Sequence, residues 1–191
     1  TTGYKIIPVP KKYERIIPAQ RIATEQLEDP HLQRIPKEFQ ALYTDFRPND
    51  ELSEEEKSER FVMRLLMQIK DGSVYQRKQA IRLLTTHAPK IGPELVFRKF
   101  FALAQSPALS ELEKHSLVKT LDRLMYRMSD SITEYIPRLL DFIGKMLVDN
   151  EPVTRAEGRE IISNLAKICG LAEILSLCKD KLGSEIDEER N

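Results

Sequence analysis

The sequence predicts an all-α protein, an α-solenoid of antiparallel helix hairpins preceded by an extended proline-containing arm. Three observations carry this expectation. From Asp50 onward, apolar residues recur at helical spacing in one segment after another, and no stretch alternates apolar and polar residues as a strand would. The segments are opened by capping signals and separated by short turns. Glycine is scarce, at 7 of 191 residues, and tryptophan is absent, a composition that long helices with short turns produce.

Residues 1–49 form the arm and linker. Pro8, Pro10, Pro18, Pro30 and Pro36 break the region at intervals too short for stable helices, because each removes a backbone donor and restricts the residue before it. A short helical turn is expected only near Glu38 to Thr44. The apolar pairs Ile6-Ile7 and Ile16-Ile17, each followed by proline, suggest a segment laid in strand-like form on another surface.

The helical part is expected over 50–191. Ser53 with Glu56 is a capping box, and the helix it opens runs to about Lys70, stopping at Asp71-Gly72. Phe61, Leu65, Leu66 and Ile69 fall on one face of it. Ser73 caps a second helix over 74–88, closed by Pro89, and Pro93 sits at a first-turn position of a third, over 93–105. Ser110 with Glu113 repeats the capping box for a fourth, over 111–128. A fifth covers 132–148, with Pro137 starting or kinking it; Pro152 opens a sixth that ends at Gly170, and a seventh, over 171–181, stops near Gly183.

Short linkers force neighbouring amphipathic helices into antiparallel hairpins. Ala80, Ser116 and Gly158 occupy similar places in the second helix of successive pairs, at spacings of 36 and 42 residues. Such a period matches HEAT and armadillo repeats, where small residues let helices approach closely.

Composition excludes several function classes. Net charge is zero, with 30 basic and 30 acidic residues, so the molecule as a whole has no pull toward nucleic acid. Residues 1–24 differ: Lys5, Lys11, Lys12, Arg15 and Arg21 stand against Glu14 alone, a net +4, leaving −4 for the rest. Lys5, Lys11, Lys12, Arg15 and Arg21 are candidate phosphate or acidic-surface contacts, with Tyr4 and Tyr13 available to stack on bases. The two partner classes, RNA and an acidic protein surface, stand level on the residues alone. No apolar run is long enough to span a membrane, and Thr1 to Pro10 has no signal-peptide core. Cys169 and Cys178 have neither a zinc spacing nor a disulfide framework, and are expected as buried free thiols in a reducing compartment.

No catalytic, cofactor or metal site is expected. His31, His87 and His115 are far apart, without an acid or cysteine partner at motif spacing, and are expected to be exposed or at helix ends. No glycine-rich phosphate loop occurs. Glu54, Glu55 and Glu56 complement the dipole of a helix first turn. Arg155, Glu157, Arg159 and Glu160 are expected as a paired polar helix face.

At 155–172 the chain reads Arg-Ala-Glu-Gly-Arg-Glu-Ile-Ile-Ser-Asn-Leu-Ala-Lys-Ile-Cys-Gly-Leu-Ala. This run resembles the early HEAT repeats of the large subunit of splicing factor 3b, a component of the U2 small nuclear ribonucleoprotein. His115 to Met128 is similar to the repeat before it. Leu52 to Lys57 and Met63 to Gly72 are similar to the first repeat, and Gly3-Tyr4-Lys5 with Pro8 and Pro10 to a segment upstream. Residues 14–46 have no counterpart in that pattern.

The resemblance implies a non-catalytic nuclear scaffold that supports branch-site recognition and spliceosome assembly. Its implied partners are other splicing factor 3b subunits, further spliceosomal proteins, U2 snRNA and pre-mRNA, with no cofactor, small-molecule substrate or membrane. It also implies repeats truncated in the fourth, with a partner helix starting near Ile186 and the apolar face of Leu171, Ile174, Leu175 and Leu177 partly uncovered. No adenosine-contacting residue is carried over. The rival on the residues alone is a HEAT-repeat adaptor of the nuclear-transport or phosphatase-scaffold type.

Overall fold

The computed structural model describes residues 35–106 and 109–188, with side chains up to Lys179. Among the described residues the structure is all-helical, without strands. The α-helices are α1 (Lys37–Thr44), α2 (Glu54–Asp71), α3 (Val74–Ile91), α4 (Pro93–Ala104), α5 (Glu111–Arg127), α6 (Ile136–Leu147), α7 (Pro152–Cys169) and α8 (Leu171–Glu188). The chain divides into two compact units, with the boundary after Thr120, inside α5.

The first unit is built around α2. The expected face of Phe61, Leu65, Leu66 and Ile69 is buried, with Val62 among them, but so are Met63 and Met67 on the other side of the helix. The reason is that α1, α3 and α4 all pack on this helix. From α1 comes Phe39, fully buried, with Ile35 and Leu52 beside the helix ends. From α3 come Ala80, Ile81, Leu83, Leu84 and Ala88. The α4 contribution is aromatic: Phe97 stacks on Phe101 with ring centroids 6.0 Å apart, and Phe100 meets Phe101 edge-on at 5.6 Å. Such ring pairs add to the area they bury.

The expected helical turn near Glu38 to Thr44 is α1. Two expected helix ends move. α3 does not close at Pro89 but runs through it to Ile91. In the last turn the ring removes only the bond that its N–H would have made to residue 85, and Gly92 N–H still reaches Ala88 O at 3.0 Å. Likewise α8 continues past Gly183 to Glu188, because one glycine costs about 1 kcal/mol against alanine and does not by itself end a helix. The helix expected to begin near Ile186 is therefore part of α8.

In the second unit α6 and α7 pack as a hairpin, and α8 packs on α7. α6 gives Ile136, Leu139, Leu140, Ile143 and Met146 to the core, and α7 gives Ile161 and Leu165. A 3-10 turn, Ser129–Ser131, precedes the expected 132–148 helix, a second, Thr133–Tyr135, occupies its first part, and Pro137 sits in the first turn of α6. Ile174 of α8 is buried while Leu171 and Leu175 are exposed. Cys169 and Cys178 are free and half-buried, not buried: Cys169 is the last residue of α7, one turn past the buried Leu165, and Cys178 stands one turn past the buried Ile174.

The two positive-φ glycines mark equivalent junctions. Gly92 (φ 103°) follows α3 and Gly170 (φ 92°) follows α7, each leaving one residue between an 18-residue helix and the next. The small residues at Ala80, Ser116 and Gly158 are all buried. At Gly158 a Cβ would lie 3.1 Å from Met146 Cβ and 3.2 Å from Leu147 Cδ2, so α6 sits directly against the glycine. Gly158→Leu should destabilise the second unit by about 1–3 kcal/mol through overpacking. Gly158→Ala gains about 1 kcal/mol of helix propensity against a slightly tight contact and should stay within about 1 kcal/mol of the parent. Urea midpoints of the three proteins check the order.

Candidate functional site

The chemistry of the first unit gathers where residues 35–52 dock on α2. Ser53 N–H donates to Glu56 Oε2 at 2.8 Å, and Glu56 N–H donates to Ser53 Oγ at 3.2 Å, which closes the capping box. Glu56 also accepts from Arg47 Nη2 at 2.8 Å. Arg47 grips Asp45 with both arms of its fork, Nε to Oδ1 at 3.0 Å and Nη2 to Oδ2 at 2.8 Å. One turn beyond Glu56 on α2, Arg60 is only 8% exposed. It donates to Arg47 O at 2.7 Å, to Asn49 Oδ1 at 3.3 Å and to Asp45 O at 3.3 Å. A buried guanidinium must have such partners, and here they are the carbonyls of an irregular segment that has no helix to satisfy them.

Two buried lysines do the same elsewhere. Lys99 of α4, 5% exposed, puts Nζ 2.5 Å from Glu59 of α2 and 3.2 Å from Glu38 of α1. Lys70 of α2, 4% exposed, lies 2.7 Å from Asp71 and 3.1 Å from Glu113, which is itself the capping acid of α5.

The charges respond accordingly. Hydrogen bonds from Arg47 hold the Asp45 carboxyl well below the usual range. The Ser53 amide, with Arg47, lowers Glu56. Burial pushes Glu113 up, but the bonds from Ser110 and Lys70 outweigh it and the net shift is downward. Burial likewise opposes the Lys70 charge, and the bonds to Asp71 and Glu113 overcome it and raise its pKa.

A cleft of about 200 Å³ opens between α1 and α2, with Glu38, Asp45, Glu56, Glu59, Arg47 and Arg60 on its walls. It is smaller than the roughly 300 Å³ at which ligand pockets begin. All four carboxylates are engaged by Arg47, Arg60 or Lys99, so none is an idle acid or base. Among the described residues no three His, Cys, Asp or Glu side chains gather to hold a metal. His87 is half-buried rather than exposed: its ring meets Phe61 edge-on at 5.4 Å, and Nδ1 lies 2.9 Å from Leu83 O. His115 is also half-buried, within α5. In the second unit Arg155 does not join a carboxylate face but donates to the carbonyls of Asp149 and Asn150 at 2.7 and 2.8 Å. Asn164 donates to Asp122 at 2.8 Å, tying α7 to the end of α5.

Lys5, Lys11, Lys12, Tyr13, Arg15, Arg21 and His31 lie outside the described residues. The sequence reading missed Arg60, Lys70 and Lys99. The signal available was each lysine or arginine interrupting an apolar helix stripe, as Lys99 does between Phe97 and Phe100.

The fold and this site define a class: a helical protein whose buried cations fasten irregular segments and helix ends, and whose carboxylates are spent on structure. No family model matches the chain. The chain is similar to the U2 snRNP component HSH155 of Saccharomyces cerevisiae, 34% identical over 145 residues, which is 76% of this chain and 15% of that protein. It is also similar to the U2 snRNP component prp10 of Schizosaccharomyces pombe, 38% identical over 130 residues, 68% of this chain and 11% of that protein. The chain thus spans a small part of the length of the curated relatives it matches.

The lowered carboxylates set an acid limit. A carboxylate whose folded pKa is depressed contributes stability that is present above its unfolded value and lost as pH falls through the folded one. With Asp45, Glu56 and Glu113 all lowered, the first unit should hold its stability above about pH 5 and lose it progressively below about pH 4. Lys70→Met should cost about 1–3 kcal/mol at neutral pH and less below about pH 4, flattening the acid loss, because Glu113 loses a partner that favours its charge and its folded pKa returns toward the unfolded value. Urea unfolding of parent and variant across this pH range checks both effects.

Proposed function

We propose that the chain is the N-terminal part of the large HEAT-repeat subunit of splicing factor 3b and acts as a non-catalytic scaffold of the U2 snRNP, in the nucleus, during branch-site recognition and spliceosome assembly. The observation that carries this is the identity of 34% and 38% to two fungal U2 snRNP components over most of the chain. The helix hairpins, the buried small residues and the matched glycine junctions 78 residues apart, two periods near 40, favour HEAT repeats. In this reading residues 1–49 are an arm and linker, and 50–191 are the first repeats. A stack of hairpins offers long faces to partners rather than an enclosed pocket. The partners are other splicing factor 3b subunits, further spliceosomal proteins, U2 snRNA and pre-mRNA. The transport or phosphatase-scaffold adaptor falls behind because both relatives are U2 snRNP components.

Affinity purification of the tagged chain from nuclear extract tests this: U2 snRNA and splicing factor 3b proteins should be recovered. Recovery of transport cargo or phosphatase subunits in their place would overturn the reading. The basic arm has its own test. Replacing Lys11, Lys12 and Arg15 with glutamine should flatten the salt dependence of RNA binding by about 0.7–0.9 log units for every phosphate no longer neutralised. An unchanged slope would assign the arm to an acidic protein surface.

A further inference from the structure

α3 departs from the charge balance of the chain. Over Val74–Ile91 it carries Arg77, Lys78, Arg82 and Lys90 and no aspartate or glutamate, although the whole chain is neutral. Its inner side is spent on the core through Ala80, Ile81, Leu83, Leu84 and Ala88. Its outer side is an unbroken exposed stripe of Tyr75, Lys78, Arg82, Thr86, Pro89 and Lys90, related by steps of three and four residues. Arg47, Lys57, Arg60, Lys70, Lys99 and Lys114 are all engaged in ion pairs. Lys78, Arg82 and Lys90 make none among the described residues. Tyr75 is 70% exposed, and its hydroxyl accepts from Gln79 Nε2 at 3.1 Å, which steadies the ring at one end of the stripe.

We propose that this face of α3 binds the backbone of a single-stranded RNA segment, with Lys78 and Arg82 on neighbouring phosphates, Lys90 about two steps further along the strand and Tyr75 stacked on a base. The charge selects an anionic partner. The spacing selects a nucleic acid: Lys78 and Arg82 are one turn apart, a rise of about 6 Å, comparable to the step between neighbouring phosphates of an extended strand. The exposed tyrosine adds a stacking platform of the kind single-strand binders use, for which an acidic peptide has no need. The proposal deepens the reading above by naming a surface, rests on it for the biological RNA, and is tested apart from it.

The test uses the full chain and a labelled oligouridylate, with binding measured by fluorescence anisotropy over a salt series. The triple variant Lys78→Gln, Arg82→Gln, Lys90→Gln should lower the slope of log affinity against log salt by about 2, at roughly 0.7 per phosphate on a single strand. Tyr75→Ala should weaken binding about tenfold at fixed salt. Both variants change exposed side chains and should keep the parent circular dichroism and urea midpoint. No binding by the parent chain, or an unchanged slope and affinity in the triple variant, overturns the proposal. Equal binding of polyglutamate by the parent, abolished in the same triple variant, also overturns it in favour of an acidic protein partner. Recovery of U2 snRNA from nuclear extract by the triple variant, alongside an unchanged slope, would leave the splicing reading standing and this one refuted.

Discussion

The first unit depends on the burial of α2 from three sides. A helix with one apolar stripe can rest on a single neighbour, but α2 also buries Met63 and Met67 beyond that stripe and carries Arg60 and Lys70 into the interior. Every element around it exists to cover that surface or to answer those charges. α3 and α4 supply leucines and phenylalanines, and α1 closes the remaining side with Phe39. Deleting one buried side chain of that size costs about 3–5 kcal/mol, a large share of what holds a small domain together.

The buried cations decide geometry more than net stability. Ion pairs taken out of water gain little over apolar packing, yet removing one partner leaves a charge stranded. Arg60 therefore fixes where the chain crosses α2 between Asp45 and Asn49, since no other placement gives its guanidinium these acceptors. Lys70 fixes the start of α5 in the same way, by holding the acid that caps it. Lys99 joins α4 to both α1 and α2.

The carboxylates around the cleft between α1 and α2 are tied to Arg47, Arg60 and Lys99, which leaves recognition to the outer faces of the helices. The outer face of α3 is basic, and its geometry comes from the same packing that buries the opposite side. A scaffold of hairpins works through such faces: each is held by its neighbours and presented at fixed spacing.

The sequence by itself determined the helices: the caps at Ser53, Ser73 and Ser110, the first-turn prolines at Pro93 and Pro152 and the glycine at 170 all mark real boundaries. These signals are local, since each acts within a turn of itself. Only the tertiary structure decided that Pro89 lies inside a helix, that α8 passes Gly183 and that residues 35–49 pack on α2. It alone placed Arg60, Lys70 and Lys99 in the interior. The docking of 35–49 and the placement of the buried cations join residues up to 61 positions apart, such as Glu38 and Lys99. No spacing rule within one helix encodes which helices will meet. The acid-free run of α3 was readable in the sequence, but only the packing of Ala80, Leu84 and Ala88 shows which of its sides is left to solvent.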